Sequence, residues 1–146
     1  MNKKYSALED KFINFMDGHG IFLLRISLAI VYIWFGALKI AGVSPVSDLI
    51  RSTYPSFPEP FFITFLGIWE VVIGIGLLFK FFLRLTLLLL WLQIAGIFLG
   101  CILVPYLYFA YQNPLLLGVN GEFVIKNLVL VAASIVVGGY ELKKKR

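Results

Sequence analysis

The chemistry open to this chain rests on a few charged side chains in apolar surroundings. Arg25, Lys39, Glu70 and Lys126 stand inside hydrophobic stretches, and Glu122 stands at the edge of one. A charge at the centre of a bilayer costs several kcal/mol unless it is paired or hydrated, so such residues face a bundle interior or a cavity. Glu70 follows Phe61 by nine positions. At a helical rise of about 1.5 Å per residue this puts it near the midplane. Lys39 and Lys126 stand within about one or two turns of the outer surface. A Glu70–Lys39 or Glu70–Lys126 pair is therefore within reach. Three readings stay open: the polar floor of an outward-opening pocket, an interhelical salt bridge that sets register, or lysines snorkelling to the interface beside a protonated Glu70. Arg25 is too far from Glu70 to touch it and reads as an anchor at the cytoplasmic interface. Gln93 either binds a ligand or bonds a neighbouring helix.

Other chemistries are excluded by what the chain lacks. One cysteine, Cys101, permits no intramolecular disulfide or CxxC motif, and it reads as a buried, inert side chain. One histidine, His19, excludes bis-His haem ligation within the chain, and it reads as an interface residue. No His/Cys cluster has metal-ligand spacing, so neither haem nor metal is expected. There is no nucleophile–base pair and no phosphate-binding loop, so catalysis by this chain alone is not expected. At most it is a subunit of a membrane oxidoreductase.

The elements that position these groups are membrane spans. The chain is 60% hydrophobic, well above the 45–50% or so of a soluble domain. Its net charge of +5 is carried by cations flanking apolar runs rather than by one soluble face, which argues against nucleic-acid binding and for a lipid bilayer as partner. Four spans are read at about 21–41, 61–79, 85–104 and 122–140, since each needs about 20 residues. The fold class is an all-α, four-transmembrane-helix antiparallel bundle with a short amphipathic N-terminal helix. In residues 1–20, Ser6 and Glu9 form a capping box. Tyr5, Leu8, Phe12, Phe15 and Met16 form an apolar stripe, and Gly18 and Gly20 end the segment. The first span is retained rather than cleaved, having no A-x-A-like site after it.

Ser44 and Pro45 open a short helix ending at Thr53, and Pro55, Pro58 and Pro60 forbid its continuation. Lys80 and Arg84 bracket a tight hairpin, Pro105 ends the third span, and residues 141–146 form a basic cytoplasmic tail. Lys3, Lys4, Lys11, Lys80, Arg84 and the terminal KKKR fall on one side, so both termini are read as cytoplasmic. Gly36, Gly67, Gly74, Gly96 and Gly100 read as helix-packing positions, the last two as GxxxG. Trp34, Trp69 and Trp91 read as packing or interface residues.

Several stretches together resemble the DoxX-like membrane proteins. They are Arg25 with FGALK ending at Lys39, GIWEVVIGIGLLF from Gly67 to Phe79, and GEFVIKNLVLVAAS from Gly121 to Ser134. The last resembles the YkgB-type branch, which includes reactive chlorine resistance protein C. The resemblance implies a four-helix bacterial-type inner-membrane protein linked to redox or oxidative-stress physiology. A related member is a subunit of a thiosulfate:quinone oxidoreductase. The pattern maps onto Arg25, Gly36, Lys39, Gly67, Glu70, Gly74, Lys126 and Asn127, with Ala29 where a glycine is common. The candidate ligand-binding or buried polar network is then Lys39, Glu70, Lys126, Gln93, Tyr32 and Asn127.

Three functions compete. The first is a redox-linked or stress-response protein binding a quinone or other small molecule between helices in the outer half of the bundle. The second is a small-anion or metabolite transporter or channel. The third is a non-catalytic scaffold whose exposed helix faces, the GxxxG face of the third span among them, hold a partner. The partners expected beyond the bilayer are a second copy of the chain, as a homo-oligomer, or a membrane redox protein.

Overall fold

In the computed structural model, which describes residues 3–144, the apolar stretches are helices and the polar, proline-rich stretches connect them. The first helix, α1 (Lys3–Ile40), is followed by the short α2 (Ser47–Thr53) and by α3 (Phe61–Phe79). Then come α4 (Leu83–Leu103), α5 (Val119–Ile125) and α6 (Asn127–Lys143). Four segments are long and apolar enough to cross a bilayer: Leu8–Ile40, Phe61–Phe79, Leu83–Leu103 and Val119–Lys143. The chain is an all-α, four-helix, multi-pass membrane protein.

The N-terminal segment is helical as expected, but it is not separate. α1 runs 38 residues without a break through Gly18 and Gly20. A glycine inside a helix costs only about 1 kcal/mol relative to alanine, too little to stop one when the residues on both sides are good formers. The stop comes at Gly42, at φ +72°. Its N–H donates to Lys39 O (3.1 Å) and that of Val43 to Leu38 O (3.1 Å). This is a Schellman closure, which needs the left-handed conformation glycine adopts freely. A helix this long spans nearly twice the hydrocarbon thickness of about 30 Å. Leu8, Phe12, Phe15 and Met16 are exposed, uncovered by the bundle. The Ser6 capping box and Tyr5 lie outside the residues whose side chains are described, and Lys145 and Arg146 lie outside the described residues altogether.

Around the bundle the order is α1, α3, α4, α6 and back to α1, with α1 against α3 by far the most extensive contact. Glycine makes that contact close. A Cβ on Gly36 would stand 2.5 Å from the carbonyl of Gly67, and one on Gly67 would stand 2.8 Å from the carbonyl of Gly36. One on Gly74 would meet Ala29 O at 2.9 Å. The two backbones touch, as small-residue faces allow in a membrane. Leu28, Ala29, Tyr32, Ile73, Leu77, Leu87, Leu90, Ile94, Ala133 and Val137 fill the core. Ile30, Trp34, Ile68, Val72, Leu88, Leu92, Val129 and Val136 face outward. Arg25, Lys39, Glu70 and Glu141 are buried. Apolar outside with charged groups inside is the arrangement a lipid solvent requires.

The chain's two termini and the α3–α4 turn share one end of the bundle, here the terminal end; residues 41–60 and 104–118 close the other, the loop end. The last span departs from its expected bounds of 122–140. It starts at Val119, tightens at Lys126 through a Val129 N–H to Lys126 O bond of 3.0 Å, and runs to Lys143. The expected tail from 141 is thus largely helix, and Glu141 belongs to the bundle.

Candidate functional site

Glu70 occupies the midpoint of α3 and is buried. Lys39 approaches from the last turn of α1. Its Nζ donates to both carboxylate oxygens, at 2.9 and 2.7 Å. The meeting follows from helix geometry. Side chains lean toward the N-terminus of their own helix, and α1 and α3 run antiparallel. Lys39 therefore leans inward from the loop end while Glu70 leans outward to meet it. Both side chains are over 90% shielded, with relative exposures of 7% and 8%. Gln93 of α4 completes the group, its Nε2 donating to Glu70 Oε1. Three helices thus converge on one carboxylate. The Oε1 atom of Gln93 is buried with no hydrogen-bond partner among the described residues.

The other expected members stand apart. Lys126 is exposed, its ammonium 5.3 Å from the centre of the Phe123 ring. The reason is rotational: with Gly121 of α5 against Tyr108 and Leu117 and Val124 turned inward, Lys126 falls on the outer face. Asn127 turns back onto the preceding α5, donating to Val124 O at 3.0 Å. Tyr32 is buried in the core on the Lys39 face of α1 but is not hydrogen-bonded to Glu70.

Arg25 is not an interface anchor. It is buried at 4% exposure, and its Nη1 donates to Leu77 O (2.6 Å) and Leu78 O (2.7 Å). These carbonyls end α3 without intrahelical donors, so a cation there satisfies them and complements the helix dipole. Its Nε lies 3.3 Å from Glu141 Oε1, and Lys80 Nζ lies 2.7 Å from the same oxygen. Arg25, Glu141 and Lys80 form a second polar centre, which the sequence reading missed. A signal for it existed. Glu141 continues the buried face of Ser134, Val137 and Gly138 at helical spacing. A carboxylate near a helix C-terminus is also unfavourable unless a cation covers it.

The glycines of α4 separate in role. A Cβ on Gly100 would meet Thr53 Cγ2 at 2.8 Å and Tyr108 Oη at 2.9 Å, so the protein's own loop end covers it. Gly96 has open space where a Cβ would be and makes no close packing contact within the chain. Its carbonyl accepts instead, from Tyr54 Oη at 2.7 Å. Thr53 and Tyr108 share a hydrogen bond of 2.8 Å. Burial pushes both tyrosine phenols above their ordinary range, partly offset at Tyr108 by the Thr53 bond. Trp69 donates to Leu89 O (3.1 Å) and Trp91 to Ser134 Oγ (2.9 Å), which ties α3 to α4 and α4 to α6.

No protein-family model, curated protein or solved structure matches the chain. Among the described residues no group of three or more His, Cys, Asp or Glu could hold a metal ion.

Proposed function

We propose that this chain is a DoxX-like protein of a bacterial-type cytoplasmic membrane, with both termini cytoplasmic. In this reading it is linked to redox or oxidative-stress physiology and binds a reduced quinone at the Lys39–Glu70–Gln93 centre. The observation that carries the binding is the buried, unpartnered Gln93 Oε1 beside Glu70. A buried acceptor without a donor costs about 1–3 kcal/mol. A quinol hydroxyl supplies the missing donor, and its ring is apolar enough for the surrounding helices. Trp69 precedes Glu70 by one residue on α3 and gives a fluorescence reporter. A short-chain quinol titrated into the protein in lipid nanodiscs should quench tryptophan fluorescence saturably. Gln93→Leu should weaken that binding about tenfold, the worth of one buried hydrogen bond. Absence of saturable quenching in the parent protein refutes the reading.

A second reading is favoured by the two-oxygen grip of Lys39 on Glu70. The centre is then an interhelical lock without a ligand. A folded Lys39→Met/Glu70→Leu protein that complements a deletion strain under oxidant stress as well as the parent supports the lock, and failure to complement supports the site.

A further inference from the structure

We infer that the cleft between the start of α4 and the end of α6 is a binding site for the phosphate group of an anionic membrane phospholipid. The cleft has a volume of about 400 Å³ and is lined by Arg84, Gly139, Leu142 and Lys143. Arg84 is the second residue of α4 and Lys143 the last of α6, so both stand where a membrane-spanning helix enters the headgroup layer. Neither has a carboxylate partner among the described residues. The nearest acidic side chain in the sequence, Glu141, is turned the other way, onto Arg25 and Lys80. Among the described residues, therefore, no carboxylate offsets the positive charge in the cleft. The floor is open because Gly139 has no side chain, and a Cβ there would meet nothing within 4 Å. Leu142 lines the cleft, and Val136, exposed three residues before Gly139 on the same helix, extends apolar surface toward the hydrocarbon, where a lipid glycerol and acyl chain run. Two cations over an apolar, membrane-facing notch match a phosphodiester with a tail better than a free anion. Basic pockets between spanning helices take lipid headgroups for this reason.

The test is native mass spectrometry of the full chain released from mixed phosphatidylglycerol and phosphatidylcholine micelles. The parent protein should retain phosphatidylglycerol preferentially. Each neutralised cation should lower that preference about fivefold, and Arg84→Gln/Lys143→Gln together about twentyfold. Gly139→Leu keeps both charges but fills the notch, and should lower it at least about fivefold; the open space there allows the protein to fold, which circular dichroism checks. Equal retention of both lipids overturns the site. So does a Gly139→Leu protein that behaves like the parent, since diffuse charge would then suffice. Displacement of the lipid by glycerol phosphate at equal concentration also overturns it, because the site would then take a soluble anion.

Discussion

The buried charges of this protein are each held by geometry that removes most of their desolvation penalty. Glu70 receives two bonds from Lys39 and one from Gln93. Glu141 is shared by Arg25 and Lys80, and Arg25 Nη1 donates to two carbonyls at the end of α3. Removing one partner of such a buried pair strands the other, which costs about 3–5 kcal/mol, whereas replacing both by apolar residues is often neutral. Glu70→Gln should therefore lower the unfolding free energy in mixed micelles by about 3–5 kcal/mol. Lys39→Met/Glu70→Leu should recover most of that loss. A double variant as unstable as the single one contradicts an isolated pair and points to Gln93 or further groups depending on the charges. The exposed pair of Arg51 with Asp48, at 50% and 93% exposure, is a useful contrast: Asp48→Asn should leave stability unchanged within error.

Helix α1 owes its place to α3. With Gly36 on Gly67 and Gly74 on Ala29, the two helices are close enough for Lys39 to reach the middle of α3. The axial register is set by these glycines, and the ion pair follows from it. Gly67→Val places methyl groups where Lys39 Cβ (2.9 Å) and Gly36 O now stand. Overpacking of this kind costs about 1–3 kcal/mol where a flexible neighbour can give way, and more against a backbone. We expect Gly67→Val to destabilise the fold by at least about 2 kcal/mol. It should also weaken the Lys39–Glu70 contact, so that adding Glu70→Gln on top costs less than it does alone. Simple additivity of the two in chemical denaturation argues that register and pairing are independent. At the loop end, α2 and the 104–118 segment cover Gly100 through Thr53 and Tyr108. The α4 glycine face is thus occupied by the protein's own cap in this region, which leaves a scaffold partner less of it to bind.

The whole molecule is an inverted globule, with apolar side chains outward and its ions in two layers. One layer holds Glu70 and Gln93 at the middle of their helices, with Lys39 reaching in from the loop end; the other holds Arg25, Glu141 and Lys80 near the termini. Lys11, Lys80, Arg84, Lys143 and Lys144 belong to the terminal end, and Arg51 to the loop end. The positive-inside bias therefore predicts a cytoplasmic terminal end. In a Cys101→Ser background, Asn113→Cys should react with an impermeant maleimide added to intact cells. Lys144→Cys should react only after permeabilisation, and the reverse pattern would invert the topology. The four spans, the α3 bounds, the place of Glu70 at the middle of its helix and its need for a lysine were all legible in the sequence. Hydropathy and charge cost are properties of a local window, and the window holds the whole argument. Only the tertiary structure decided that Lys39 and not Lys126 pairs with Glu70, that Arg25 faces Glu141, and that α1 passes Gly18 and Gly20 unbroken. Partner choice depends on the rotation and axial offset of helices far apart in the chain. Those are set by backbone contact between glycines such as Gly36 and Gly67, which no single segment encodes alone.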